Sequence, residues 1–564
     1  MSAASACGRA FQSRDIVRHI CTELEPRLPD SKVAILTTNE TCLRNATALA
    51  RLARVSRALS GPALDVLWRV VDDLPRLLYI LPSFTMLAES FLYVISRPIK
   101  PEEWDRFQLY ARRVREYYVD TESSSSLCAG ISPSVWTFLA RWCPQGHSLL
   151  PNLRRLDALH MCHSGHILLL TPSLRDLKIS EYVHELEDWD EDPYSHCLVF
   201  EVMHKISLPH LESLRTEFLL PHYAARANGP EDYAKFAHLR SLEITGTDRT
   251  VTVDEPLLQA LAGFPFLRRL RMNACLELPE KRPLPPNSFK LLQELGIIAD
   301  LDHLGDFLEI IPPPRSLALG VTDWRKFPPD RTKELFQSVL SNIPESTSQL
   351  SFILPYSASE NELRAAELIR PTLAFSWLTH LSITIEEPCT AHLLLNDEEL
   401  RTFAAAWPNL REFEFQLKQI ESTGNDDDDP EYHDDPKAQS IALFAQNHPR
   451  LTRLVLPFLH ARSSKLPALD TVPFLDHCLR TLRLCVVGNG GLADKGELAV
   501  FLDYLFPNLD LSATACFDSP EVKAELWIWY ELQRMLLCLQ IGRTNVLVPR
   551  RRREEERQRN EAGS

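Results

Sequence analysis

The chain has 564 residues, with 61 Lys plus Arg against 76 Asp plus Glu and a formal net charge of −15, a bulk charge that argues against a nucleic-acid binder. Hydrophobic residues make up 45% and charged residues 24%, the balance of a folded chain with a sizeable core rather than of a disordered or fibrous one. No apolar run approaches the roughly 18 residues of a membrane span, the 13 cysteines lack framework spacing, and Arg9, Arg14 and Asp15 stand where a signal peptide needs an apolar core, so the expectation is a reduced protein, cytoplasmic and/or nuclear, with no membrane partner.

Residues 1–12 read as a flexible N-terminus and residues 13–72 as a helical module. Asp15, Ile16, Ile20 and Leu24 trace one helical face, followed by Pro26, Pro29 and a loose polar segment to about Asn45. A second helix keeps Leu49, Leu52, Ala53, Val55 and Leu59 at helical spacing, with Arg51, Arg54 and Arg57 among them, and Gly61-Pro62 ends it. Pro62 then opens a third helix carrying Leu64, Leu67 and Trp68. Residues 73–148 are expected to be a helical linker region.

From residue 149 to 541 one phrase returns: a Pro or aromatic residue, then Leu-x-x-Leu-x-apolar. It runs from Leu153 and Leu156 through Leu174, Leu177 and Ile179 and Leu451, Leu454 and Leu456 to Leu482 and Leu484, with spacings between 21 residues (Leu156 to Leu177) and 41 (Phe413 to Leu454). This is a leucine-rich-repeat cadence with insertions. The alternating pair at the end of the phrase marks a short strand whose apolar side faces a core, while the earlier leucine caps that core from the preceding turn. Ordinary amphipathic helices are the alternative; Pro151, Pro172, Pro209, Pro265, Pro408, Pro449 and Pro507, each two residues before a leucine, oppose it, because proline inside a helix costs about 3 kcal/mol. Helix starts lie between the strands: Asn396 with Glu399 as a capping box, and Asp254 ahead of Pro256. The fold class expected is α/β: a small N-terminal helical module followed by a curved solenoid with parallel strands on its concave face and helices outside.

A last helix, from Pro520 to about Ile541, sets Leu526, Trp529, Tyr530, Leu536 and Leu537 at helical spacing, widened by Trp527 and Leu532 and interrupted by Gln533; it is suited to sealing the end of a solenoid. Residues 542–564 read as a charged disordered tail in which Arg550 to Arg553 run into Glu554 to Glu556, an import signal or an exposed mixed-charge segment. The acidic insert 426–435 reads as solvated and lacks EF-hand spacing. Gly488, Gly490 and Gly491 form a loop that only formally approaches a dinucleotide fingerprint. His160, Cys162, His163 and His166, with Cys143 and His147 upstream, do not reproduce the two separated couples of a zinc site, and His184-Glu185 lacks the second histidine of a zincin helix. No metal, no cofactor and no catalytic residue are expected.

The stretch Leu49-Ala-Arg-Leu-Ala-Arg-Val-Ser-Arg-Ala-Leu-Ser-Gly-Pro-Ala-Leu-Asp-Val-Leu-Trp68-Arg69 resembles the second half of an F-box, and Asp15-Ile16-x-x-x-Ile20 resembles its opening helix, with Ser13-Arg14 in place of the usual Leu-Pro. Leu74-Pro75, Leu81-Pro82 and Trp104-x-x-Phe107-x-x-Tyr110-Ala-Arg-Arg-Val114-Arg, leading into a leucine-rich array at Leu150-Pro151-Asn152-Leu153, resemble the F-box proteins of mushroom-forming fungi. The resemblance implies a non-catalytic substrate-recognition subunit of a Skp-cullin-F-box ubiquitin ligase, with a Skp-type adaptor and cullin as partners and an unidentified protein target on the repeats. A module of about 55 residues with three apolar helical faces has more hydrophobic surface than its core hides. Ile16, Ile20, Leu49, Val55, Leu59, Leu64, Leu67 and Trp68 are accordingly the candidates for adaptor binding, with inward packing as the alternative for each. Target-binding candidates are the strand arginines Arg215, Arg240, Arg269, Arg271, Arg453 and Arg483, which suggest a basic strand face. Rival readings are a leucine-rich binding scaffold with no ligase role and a nucleotide-dependent enzyme using the Gly488 loop.

Overall fold

A computed structural model describes residues 13–25, 35–87, 92–118, 131–143, 148–160, 164–180, 208–216, 236, 238–245, 251–277, 284–322, 328–354, 367, 369–385, 396–417, 438–459, 466–467, 469, 472, 477–487, 492–511 and 523–543. They divide into two compact units, the first comprising 1–273, 277–279 and 284–292, the second 274–276, 280–283 and 293–564. Among the described residues no helix is long and apolar enough to cross a membrane.

The first unit opens with three helices, α1 (Arg14–Glu23), α2 (Ile35–Val55) and α3 (Arg57–Leu67). Their small core is Val17, Cys21, Leu49, Leu59, Ala63 and Val66, with Leu24, Leu52, Ala53 and Leu67 packed against it. There follow β1 (Val70–Val71), α4 (Leu74–Leu78), an antiparallel hairpin of β2 (Phe84–Leu87) and β3 (Leu92–Ile95), α5 (Pro101–Ala111), β4 (Glu116–Tyr118) and α6 (Pro133–Trp142). Then come β5 (Arg155–His160), β6 (Asp176–Ser180), β7 (Ser213–Thr216), β8 (Ser241–Ile244), β9 (Val251–Val253), α7 (Glu255–Ala262) and β10 (Arg269–Leu276), whose first five residues fall in this unit. Strands β1, β4, β5, β6, β7, β8 and β10 lie side by side in that order, all parallel, with β9 pairing β10.

The second unit repeats the plan with β11 (Glu294–Ala299), α8 (Leu301–Ile310), β12 (Ser316–Val321), α9 (Pro329–Ser341), β13 (Gln349–Leu354), β14 (His380–Ile385), α10 (Asp397–Ala405), β15 (Glu412–Leu417), α11 (Ala438–Asn447), β16 (Arg453–Leu459), β17 (Thr481–Val487), α12 (Leu492–Leu505) and α13 (Lys523–Gly542). Strands β11 to β17 are parallel and each pairs with the next, the order of a solenoid-like stack. In both units the repeat leucines occupy register-matched positions, such as Leu214, Leu242 and Leu270, or Leu350, Leu381 and Phe413. None of these six is more than 4% exposed. Helix side chains close over that face: Phe413 lies 5.2 Å from Phe444 and 6.2 Å from Phe403 between ring centroids, and Phe336 lies 5.4 Å from Phe352.

Local chemistry explains the corners. Asn396 and Glu399 exchange two hydrogen bonds that cap α10, and the Asp254 carboxylate accepts the Leu257 N–H at the start of α7. Each corner leaves carbonyls without a helix or strand partner, and polar side chains of the following repeat donate to them. Asn152 donates to the Arg112 carbonyl, Ser173 to Leu153, Thr347 to Pro314, Asn409 to Ser376 and Asn508 to His477.

Several expectations change. The segment expected to be loose up to Asn45 is helical from Ile35, and the break between the second and third helices falls at Ser56, whose hydroxyl accepts the Leu59 N–H, instead of at Gly61-Pro62. Pro62 sits inside α3, where burial of Ala63 and Val66 offsets the lost hydrogen bond. The region expected as a helical linker already carries β4, and β1 precedes it, so the parallel array begins before residue 149. In α13, Leu532 and Leu536 are buried but Leu537 is exposed; the side chains of Leu526, Trp527, Trp529 and Tyr530 lie outside the described set. The acidic insert 426–435, the Gly488 loop, Cys162, His163, His184-Glu185 and Arg550–Arg553 also lie outside the described residues.

Candidate functional site

The N-terminal module sorts its apolar residues into two sets. On α1, Val17 and Cys21 point into the core, while Ile16 and Ile20, one turn apart, are 44% and 38% exposed. On α2, Leu49 is buried but Val55 is 70% exposed, and Leu43, which sequence periodicity did not single out, is 61% exposed. Of the adaptor candidates, then, Ile16, Ile20 and Val55 face solvent, Leu64, Leu67 and Trp68 are half-buried, and Leu49 and Leu59 are core residues beside Val17, Cys21, Ala63 and Val66. Trp68 packs edge-on against Tyr110 of α5, with ring centroids 5.4 Å apart. Arg113 pairs with Asp65 and donates to the Gly61 carbonyl, and Arg69 reaches both Glu25 at 3.2 Å and Glu116 at 3.5 Å. The module is thereby fastened to the first strands of its own unit.

The second candidate surface is the strand face opposite the leucines, and its charge is mixed. Arg215 donates to Glu243 at 2.7 Å, Arg240 lies 3.7 Å from Glu212, Arg453 pairs with Glu414, and Arg269 and Arg483 each make contacts of their own. Arg271 is exposed and register-matched to Glu243. The basic face expected from the sequence is therefore corrected to a mixed one: acids on neighbouring strands, 28 residues away for Arg215 and 39 for Arg453, balance these two arginines. At β4 and β5, Arg155 lies over the Tyr118 ring at 5.0 Å, while burial and a hydrogen bond to Glu116 push the Tyr118 phenol up. In the second unit the row Gly296, Ala318, Ser351 and Ser382 is small and uncharged before charge returns at Glu414.

One further row escaped the sequence reading as a set. The residue just ahead of successive strands in the first unit is Arg69, Arg115, Arg154, Arg175, Glu212, Arg240 and Arg268, six arginines and one acid. Its signal is the residue after the first leucine of each phrase, as in Leu153-Arg154 and Leu267-Arg268.

Among the described residues, ligand atoms of Asp300, Asp302 and His303 lie within 4.8 Å of one another at the start of α8. Acids at a helix start are favoured by the helix dipole alone, and Asp300 already accepts the Thr322 hydroxyl. Compared with protein-family models and with curated proteins, the chain matches none of either.

Proposed function

We propose that the chain is the substrate-receptor subunit of a Skp-cullin-F-box type ubiquitin ligase, with an F-box module at its N-terminus and a leucine-rich-repeat solenoid that holds a protein target. The observation that carries this reading is the exposure of Ile16, Ile20, Leu43 and Val55 on a three-helix module whose own core is already filled. Large apolar side chains left in water on so small a module mark a surface that a partner covers. F-box modules bind their Skp-type adaptor through such a surface, and the module's ion pairs to the first strands support a rigid link between adaptor and target. The chain's contribution to the reaction is positioning: it raises the effective concentration of the target's lysines near the charged transfer enzyme, while the chemistry belongs to other subunits.

The test is co-purification of the full chain with a Skp-type adaptor and cullin. Ile16→Asp and Val55→Asp alter exposed positions and leave the core alone, so each should abolish capture without lowering the melting temperature. Capture that is unchanged in both variants overturns the adaptor assignment of this surface. Absence of capture by the unmodified chain leaves a free-standing leucine-rich binding scaffold as the account of the fold.

A further inference from the structure

We propose that the arginine row at the strand entries of the first unit is a docking rail for an extended acidic segment of a partner protein. The row is aligned by the backbone. Arg115 and Glu116 both donate their N–H to the Arg69 carbonyl, Arg154 and Arg155 to Arg115, Arg175 and Asp176 to Arg154, and Arg268 and Arg269 to Arg240, all at 2.7 to 3.0 Å. Each rung therefore advances by one strand spacing of about 4.8 Å, and the six steps from Arg69 to Arg268 span about 29 Å. An extended chain covers that length with about nine residues at about 3.3 Å each.

Arg69 is met by Glu25 and Glu116, but the charge of the rest of the row is only partly met within the unit. Arg175 and Arg240 share one acid, Glu212, each at 3.7 Å, longer than a hydrogen bond. Arg154 and Arg268 are exposed and make no side-chain hydrogen bond or ion pair among the described residues. Arg115, half-buried and donating to the Asn152 carbonyl, is pushed down by burial and further by the neighbouring charge of Arg154, which Asp65 opposes. Exposed guanidinium forks such as those of Arg154 and Arg268 suit carboxylates, each of which can accept two parallel N–H bonds.

The whole chain's net charge of −15 repels a long polyanion, and the row itself carries no aromatic ring on which bases could stack. A short acidic peptide senses only the local field, since the Debye length is about 8 Å at physiological salt. As a statement about the ligase target, the proposal rests on the receptor reading. As a binding surface it does not, and peptide binding is measured without adaptor present.

The experiment is fluorescence anisotropy of labelled nonaglutamate with the full chain at low salt, alongside nonaglutamine and a nine-nucleotide oligo-dT. Binding of nonaglutamate alone is expected, weakened about tenfold or more by the double variant Arg154→Gln with Arg268→Gln and by physiological salt. Arg331→Gln, at an exposed helix site in the second unit, should leave it unchanged. Both arginines of the double variant are exposed, so its melting temperature should match the parent's and a fold defect is separable. No binding of nonaglutamate, binding indifferent to the double variant, or equal binding of oligo-dT would each overturn the proposal, the last in favour of a nucleic-acid surface.

Discussion

At the corner between α10 and β15, single side chains hold the backbone in place. Trp407 has a φ of 51°, a left-handed conformation that costs a bulky residue about 1–3 kcal/mol. It persists because the ring is buried and its indole N–H donates to the Thr372 carbonyl at 2.7 Å. The preceding carbonyl, of Ala406, faces His448 Nε2 at 2.9 Å, and the Phe444 carbonyl faces His448 Nδ1 at the same distance. Two carbonyls favour the doubly protonated ring, but burial costs the charge more, and His448 is pushed below the ordinary histidine value; His477, donating to the His448 carbonyl, is pushed down for the same reason. The folded chain thus holds both rings neutral while the unfolded chain protonates them below about pH 6.5. Their stabilisation is complete above that value and declines as pH falls through it toward the lower folded values, by up to about 1.4 kcal/mol per pH unit for each ring. Urea midpoints at pH 7.5 and pH 5.5 should differ in the parent chain, and the difference should shrink in His448→Asn. Equal midpoints in the parent would mean that the rings titrate alike in the folded and unfolded chain.

At the scale of elements, alternation along the strands separates core from surface. In β10 the register places Leu270 beside Leu242 on the buried side and Arg271 beside Glu243 on the open side. Leu270→Ala should cost about 2–5 kcal/mol in chemical denaturation. The neighbouring Arg271→Ala should stay within about 0.5 kcal/mol. Similar costs for the two would contradict a one-sided strand. This alternation was legible in the sequence, since every Leu-x-x-Leu-x-apolar phrase states which strand residues face inward, and so were the caps at Asp254 and Asn396. The start of α2 at Ile35 was not, because Thr37, Thr38, Asn39 and Thr41 are residues that favour turns as readily as helix. Strands β1 and β4, two and three residues long, carry no phrase to recognise. On the candidate surfaces, the helical spacing of the module pointed to Ile16 and Ile20, yet spacing alone does not separate Leu49 from Val55, since both are apolar positions of one helix and only packing decides which is covered. The neutralisation of Arg215 and Arg453 depends on acids brought alongside by strand pairing, which local pattern does not encode.

At the scale of the whole molecule, the parallel stacks gain stability from contacts between successive repeats, which makes a defect felt by its neighbours first. In the second unit α13 packs on β17 and α12, with Leu532 and Leu536 buried, while Gln540 and Arg543 donate to the Leu509 and Pro507 carbonyls. Within that unit Phe413 occupies a junction, its ring 5.2 to 6.2 Å from those of Phe444, Trp407 and Phe403. Phe413→Ala should cost about 3–5 kcal/mol. In native-state hydrogen exchange the loss of protection should be greatest for amides of β14, β15 and β16 and should fade toward β11, because each strand bonds only to the next. A uniform loss from β11 to β17 would instead mean that the unit opens as a single cooperative block, and the stability of the array would then have to be treated as one number rather than as a sum over repeats.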